Sequence, residues 1–397
     1  MLTHNMTGIG GSFMRAHSLA KSLANMGHTV TLLASRRFSG LKMISEVHER
    51  VQVIQSADIL PSRLRHGGLS PMDIAGRMKN AMQAHDIVHG FDHRPAVSFP
   101  ALLARRKHKI PYVADWADLW GKDGIAAERG ILSGLLLGSL DHYWEQRVHK
   151  IAEAVTVISS DLGNRALMLG VPEERIRDVP VGSNADEITP LPQAAMRSKH
   201  KFPQEARVLT HIGFAPYDAK LLAESFAILA KSDPRVVLAI TGTSMGEVNE
   251  VAEAEGFADR VWYLGFVPYH QLEEILSCGD VMLLPFSNRS INRARYPNRF
   301  GDYLAAGRPI ATNLTGDLGQ TVVDERIGIA TEDKPEAFAA GILELLEDDS
   351  QRKSMGRRAR QLAEGRYSWR SIAQTVSNLY DEILDFEVGA RISSFTK

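Results

Sequence analysis

The sequence predicts an α/β protein made of two doubly wound parallel-sheet domains with a cleft between them. Three observations lead there. Short apolar strands alternate with helical segments along both halves of the chain, which is the pattern of a parallel sheet covered on both faces. The alternation breaks once, near Asp186, in the proline-rich and basic stretch ITPLPQAAMRSKHKFPQEA, and then restarts. The chain has 397 residues, long for one core and comfortable for two. The expected division is a first domain over 1–188, a linker over 189–205, a second domain over 206–366 and a terminal helix over 367–388.

In the first half, MLTHN leads into the glycine-rich turn GIGGS (8–12). So little chain precedes the turn that the first strand is expected to be entered part-way along. A helix over 13–26 follows from the spacing of Ala16, Leu19, Ala20 and Leu23, and Gly27 stops it before a buried strand over 28–35. Further strands are expected over 87–89, 111–115 and 154–158, with helices over 74–84, 96–106 and 140–152. The second half repeats the rhythm through VLTHIG, VVLAITG, VWYLG, VMLLPF, PIATN and IGIAT, with helices over 220–231, 247–255 and 269–277 between them. In the helical tail, Ile372, Val376, Leu379, Ile383 and Leu384 form one apolar stripe that needs a partner.

Hydrophobic content of 44% and charged content of 23% are those of an ordinary globular protein. A net charge of −1 creates no overall field for nucleic acid or a membrane surface. The single cysteine, Cys278, rules out an intramolecular disulfide and fits a reducing, cytoplasmic setting. It reads as a nucleophile or, more simply, as a small buried residue. No signal peptide opens the chain, and no apolar run approaches the roughly 20 residues of a bilayer span. ILSGLLLGSL (131–140), with Lys122 and Arg129 nearby, reads as a buried helix or as one lying in a membrane interface. Peripheral contact with the inner membrane face is therefore part of the expectation.

Four stretches carry chemistry. SINRARYPNRFGDYLAAG (290–307) follows a strand; Pro297 suits a first helical turn, and Gly307 with Pro309 ends the helix. Arg289, Arg293, Arg295 and Arg299 crowd its entrance with Asp302 one turn in, an arrangement suited to phosphate at a strand's carboxyl end. GIGGS, with Gly8, Gly10 and Gly11, is a tight turn or a phosphate loop. It is not G-x-G-x-x-G, and Ser35, Arg36 and Arg37 stand where a dinucleotide site has its ribose acid. PYVADWADLWG (111–121) places Asp115 and Asp118 beside two tryptophans at a strand end. A carboxylate there serves as general base to a hydroxyl, or Asp118 caps the next helix and Trp116 is core. HIGFAPYDAK puts Lys220 at a helix N-terminus, facing a phosphate or simply exposed. His85, His89 and His93 are four apart, but on a strand, which breaks ligand register, so no metal site is expected.

Together these stretches resemble the GT-B glycosyltransferases often called glycosyl transferases group 1, or family 4. GIGGSFMRAHSLAKSLANMGHTVTLL resembles the family's opening Gly loop, helix and strand. AVTVISSDLGNRALMLGVPEERIRDVPVGSNAD resembles its closing passage of the first domain, with Gly182 and Asp186 in place. YLGFVPYHQLEEILSCGDVMLLPF and PNRFGDYLAAGRPIATNLTGD resemble the approach to its donor site and the site itself. The resemblance spans Thr3 to about Leu384. It implies two Rossmann-like domains, a C-terminal helix crossing back to the first, and a nucleoside-diphospho-sugar held mainly by the second. By position, Asp302 replaces the glutamate that holds the nucleotide ribose, Arg299 stands at the lysine of the P-N-K motif beside Asn298, and Lys220 lies near the phosphate-binding lysine. Gly10 and Gly11 correspond to the loop near the donor phosphates, and Arg293 or Arg295 adds positive charge for the leaving diphosphate.

Two departures stand out. The family's first acid, eight residues before Asp302, is Ala294 here, and its phosphate arginine is Phe214. Asp115 or Asp118 occupies the neighbourhood of a first-domain histidine that many members place near the sugar. The resemblance implies a retaining glycosyltransferase that needs no metal or other cofactor. It would act from a nucleotide-sugar donor on a glycan, lipid-linked or small-molecule acceptor. The alternatives are a degenerate nucleotide-sugar-binding subunit and a Rossmann-type oxidoreductase, the latter disfavoured by the missing dinucleotide motif.

Overall fold

The computed structural model describes residues 1–8, 10–80, 85–121, 124–125, 131–213 and 217–395, with the side chains of 131–137 and 387–395 outside the description. Two compact units emerge: Met1–Gly182 with Ala294–Asn298 and Trp369–Lys397, and Ser183–Arg293 with Arg299–Ser368.

The first unit is built on eight strands: β1 (Leu2–Met6), β2 (Thr31–Ser35), β3 (Ile44–His48), β4 (Val51–Gln55), β5 (Val88–Phe91), β6 (Tyr112–Trp116), β7 (Ala154–Val157) and β8 (Ile176–Asp178). Their order in the sheet is β3-β4-β2-β1-β5-β6-β7-β8, and only the β3/β4 pair is antiparallel. The second unit has β9 (Arg207–Ile212), β10 (Val236–Thr241), β11 (Val261–Tyr263), β12 (Val281–Leu284), β13 (Ile310–Asn313) and β14 (Gly328–Thr331). They run parallel in the order β11-β10-β9-β12-β13-β14. Each sheet reverses its winding direction once, between β1 and β5 in the first and between β9 and β12 in the second. At such a switch point the loops leaving the carboxyl ends diverge and leave room for a ligand.

The cores follow from the apolar spacing. Helix Gly11–Asn25 buries Phe13, Ala16, Leu19, Ala20 and Leu23 against Leu32, Val53 and Phe91. The apolar stripe of the tail finds its partner in the same cluster, where Trp369, Ile372, Ala373 and Val376 of helix Trp369–Phe395 pack. Leu379 and Ile383 continue it onto Val113 and Ala154. Gly182 is needed at this contact, because a Cβ there would overlap the Trp369 ring. In the second unit, Leu209, Leu238, Ile240, Val281 and Leu283 meet Phe226, Phe338 and Ile342.

Three features differ from the expectation. The β3/β4 hairpin turns at Glu49 and Arg50 (φ 49° and 69°), without the Asn-Gly or Gly pair that announces such turns, and β3 is largely exposed, so no apolar run marks it. The stretch read as a linker contains helix Gln193–Lys199, fixed to the second unit by polar contacts rather than an apolar stripe. There the buried Arg197 donates to the carbonyls of Cys278 (3.0 Å) and Gln204 (2.9 Å) and to Asp280 (2.7 Å). The expected helix beginning at Pro297 appears instead as two short helices, Ser290–Ala294 and Arg299–Ala305, and Gly307 (φ 62°) ends the second as anticipated.

Docking of the terminal helix is open to test. Ile372→Ala removes a side chain that is 4% exposed and should cost about 2–4 kcal/mol, seen as a lower urea midpoint. Gln374→Ala, on the exposed face of the same helix, should stay within about 0.5 kcal/mol.

Candidate active site

The second unit collects its polar residues around the carboxyl ends of β9 and β12. Asp218 precedes helix Ala219–Ser232 in the N-cap position, yet its side chain makes no cap hydrogen bond. Its carboxylate instead accepts from the Ser287 amide (2.9 Å), the Ser287 hydroxyl (2.6 Å) and Asn292 Nδ2 (2.9 Å). This one carboxylate therefore ties the segment after β9 to the loop after β12. Nothing in the sequence singled out Asp218, because an aspartate before a helix ordinarily reads as a cap.

Helix Arg299–Ala305 brings two of the anticipated residues to the same edge. Arg299 Nη1 donates to the Ile212 carbonyl (2.6 Å) and to His211 Nε2 (3.0 Å) at the end of β9. His211 Nδ1 lies 3.2 Å from the Leu283 carbonyl, which fixes its proton there and leaves Nε2 as the acceptor. Burial and then the Arg299 charge lower the His211 pKa to about 3, so the imidazole is neutral. Asp302, half-buried, accepts from the Tyr269 hydroxyl (2.8 Å), which in turn accepts from Asn184 Nδ2 (2.6 Å). Burial raises its carboxyl to about 6. Arg293 donates to Asn288 (2.7 Å) and Ser290 (3.0 Å), and Arg289 lies over the Tyr217 ring at 5.6 Å. Lys220 is exposed, 3.7 Å from Glu224.

In the first unit a narrow polar cavity is lined by Ser12, Asp92, His93, Asp115, Trp116, Asp118 and His149. Asp92 stands at the end of β5 with φ 90°, a region costly for a non-glycine residue and often reserved for functional positions. Its carboxylate lies 3.2 Å from His4 Nδ1 and 3.0 Å from His93 Nδ1. Burial alone would raise its pKa, but His4, His93 and Arg94 together hold it well below the usual range. Asp118 is the opposite case: burial, then Asp92, with Asp115 and Glu145, outweigh Arg295 and push its carboxyl to about 7. Glu145 accepts from Trp116 Nε1 (3.0 Å) and from the amides of Trp120 (2.9 Å) and Gly121 (2.8 Å), which fixes the loop carrying Asp118. Among the described residues no group of three or more His, Cys, Asp or Glu side chains is placed to hold a metal ion.

Comparison with known proteins shows the family and the fold. Residues 10–182 match the family described as glycosyl transferase 4-like domain, and residues 192–362 match glycosyl transferases group 1. The chain belongs to this glycosyltransferase family. Glycogen synthase of Mycobacterium tuberculosis is 24% identical over 400 residues, covering 94% of this chain and 91% of that protein. Among solved structures, sucrose-phosphate synthase from Thermosynechococcus elongatus superposes with a TM-score of 0.76 at 16% identity, over 97% and 98% of the two chains. Anabaena HepE in complex with UDP-glucose gives 0.72 at 16% identity, over 96% and 98%.

Within this glycosyltransferase, several residues singled out from sequence have settled places. Asp115 is occupied by a bidentate pair with Arg15 (2.9 and 2.8 Å) and by the Thr156 hydroxyl (2.6 Å), and is 1% exposed. Burial would raise its pKa, but Arg15 outweighs burial and lowers it, so Asp115 is a structural anion rather than a proton acceptor. Gly10 (φ 94°) lies so close to the Asn5 side chain that any Cβ would overlap it. Asn5 Oδ1 accepts from the amides of Ser12 (3.0 Å) and Phe13 (3.4 Å), so Asn5 satisfies two amides at the start of the helix that follows. Asn298 Nδ2 donates to the Gly11 carbonyl (2.9 Å) within the first unit. Trp116 is buried and stacks on His149 (centroids 4.1 Å apart), and no helix begins at Asp118 for it to cap. His89 bonds the Tyr380 hydroxyl (2.7 Å) of the terminal helix. Cys278 is buried with its thiol pushed up by burial to about 11, the small core residue of the simpler reading. Ala294, where the family's first acid would stand, is fully buried and its carbonyl accepts from the Ser159 hydroxyl (2.6 Å). Phe214, Lys122 and Arg129 lie outside the described residues.

The two neighbouring acids should respond oppositely to pH. Asp118 has a raised folded pKa, so the native state binds the extra proton and stability falls as pH rises from about 4 to 7. Asp118→Asn should therefore gain stability relative to the parent over that window, read from urea midpoints at pH 5 and 8. Asp115, with a lowered pKa, contributes stability that is present above the ordinary carboxyl range and lost in acid. Asp115→Asn should be destabilised by about 3–5 kcal/mol at pH 8, because Arg15 is left buried without its counter-charge.

Proposed function

We propose that this glycosyltransferase moves a sugar, with retention of anomeric configuration, from a nucleoside diphosphate to an acceptor hydroxyl. The observation that carries the donor half is the placement of Asp302 and Arg299 on one helical turn at the second unit's switch point. An ionised Asp302 accepts hydrogen bonds from the two hydroxyls of a ribose, with the Tyr269 hydroxyl holding its orientation. Arg299, Lys220 and the first amides of helix Ala219–Ser232 face the diphosphate, where negative charge grows as the anomeric C–O bond breaks. A guanidinium fixed by Ile212 and His211 needs no reorganisation to meet that charge. The HepE complex with UDP-glucose, a neighbour in fold, supports a nucleoside-diphospho-sugar as the class of donor.

The acceptor is proposed to be a hydroxyl of a glycan, a lipid-linked sugar or a small molecule. Asp118 is the group suited to take its proton as the new glycosidic bond forms, since a carboxyl near pH 7 combines availability with basicity. The electron pair of the broken bond leaves with the diphosphate, and the acceptor proton passes to Asp118.

Activity requires ionised Asp118, so turnover should rise with pH through about 7. Asp118→Ala should lower kcat by about 10²-fold or more while nucleotide affinity persists. Asp302→Ala should weaken calorimetric binding of the nucleoside diphosphate by about tenfold or more. The donor base is found by screening UDP-, GDP-, ADP- and dTDP-sugars for thermal stabilisation, because a ligand bound only by the native state raises its stability. Donor binding unchanged in Asp302→Ala would overturn the ribose assignment, and binding without any turnover would leave only the binding-subunit alternative.

A further inference from the structure

We propose that the second unit carries a separate site for a small phosphorylated molecule, at the amino ends of β12 and β13. A cavity of about 430 Å³ lies there, within the usual range of roughly 300–1,000 Å³ for small-molecule sites. Asp280, just before β12, and Pro309, just before β13, are on its wall. The donor residues proposed above lie at the carboxyl ends, so the two places are on opposite edges of the same parallel sheet.

The wall is strongly basic, and its charges are unevenly matched. Arg308, Arg352, Lys353, Arg357 and Arg360 line it against Asp280 and Asp349. Asp280 is already paired with Arg197 (2.7 Å). Asp349 is shared by Lys353 (2.6 Å) and Arg352 (3.2 Å). Arg360 bonds Glu364 and the carbonyls of Ala185, Ile188 and Ala305. Arg308 and Arg357 remain. Arg308 donates one N–H to the Ser277 carbonyl (2.9 Å), but its buried Nε has no partner. Burial lowers its pKa, with Asp280 opposing, which marks a cation short of a counter-charge. Arg357 is exposed on the same helix face as Lys353 and Arg360 and meets no partner among the described residues. Two guanidinium groups with unused donors beside a lysine make a fork that suits the tetrahedral oxygens of a phosphate monoester.

This cavity is also joined to the donor edge by a single short helix. Helix Arg299–Ala305 carries Arg299 and Asp302 near its start, and Gly307 and Arg308 follow its end. Arg360 caps that end by donating to the Ala305 carbonyl (2.8 Å). Gly356 sits against the Gly307 carbonyl so closely that any Cβ would overlap it. A phosphate held by Arg308 therefore grips the end of the element whose other end faces the nucleotide.

Calorimetric titration of the full chain with inorganic phosphate and, separately, glucose 6-phosphate, each with and without saturating UDP, tests the proposal. The expected result is binding of at least one of the two that persists with UDP present. Arg357→Gln should weaken it about tenfold without changing UDP affinity, and the Arg308→Gln, Arg357→Gln double variant should abolish it. Tighter binding of glucose 6-phosphate identifies a phosphorylated metabolite as the ligand, and equal binding identifies phosphate itself. No binding of either at about 10 mM, displacement by UDP, or undiminished affinity in Arg357→Gln overturns the proposal.

Discussion

Everything functional in this chain depends on a constraint of parallel sheets: all the loops that leave the strands' carboxyl ends emerge on one edge, and they part where the winding reverses. In the second unit that place is between β9 and β12, and the segments leaving those two strands carry Lys220, Arg293, Arg299 and Asp302. The opening is not left to the backbone alone. Asp218 gives up the capping role its position suggests and spends its carboxylate on Ser287 and Asn292, so the two diverging segments are fixed to each other. In the first unit Asn5 plays a comparable part, reaching from β1 to the amides that begin the next helix.

The buried carboxylates show how environment sorts one chemical group into several uses. Asp115 and Asp92 are surrounded by cations and histidines and stay ionised, so they act as fixed charges. Asp118 shares their neighbourhood but sits among other acids, and burial leaves its proton exchangeable near neutrality. Asp302 is intermediate, raised by burial and steadied by Tyr269. Two acids three residues apart at one strand end thus part company because only one of them meets Arg15. That guanidinium comes from the first helix, 100 residues away in sequence.

Much of the fold was legible because the apolar periods are clear: the second sheet, strands β1, β2, β5, β6 and β7 of the first, the first helix and the stripe of the terminal helix follow from spacing. What escaped was held by polar contacts or lacked its usual marker. Helix Gln193–Lys199 is anchored through Arg197 and so shows no stripe, and the β3/β4 hairpin turns on Glu49 and Arg50 instead of glycine. Arg299 and Asp302 in the second unit, and Asp118 in the first unit's polar cavity, stood out from their positions after strands. Asp218, His211 and Arg15 did not, because their importance comes from partners far away in sequence, and Asp92 did not, because its charge is set by His4 as well as by its neighbours. The same reason explains why Asp115 looked equivalent to Asp118 until Arg15 was seen beside it.

The central claim is that a nucleoside diphosphate is held at the switch point of the second sheet. Hydrogen–deuterium exchange on the whole protein, with and without UDP, addresses it directly, because a ligand that bridges two loops suppresses their local opening. The account predicts new protection at the amides of 217–221, 285–293 and 299–303. Protection confined to 8–13 and 92–94, with the second unit unchanged, would contradict it.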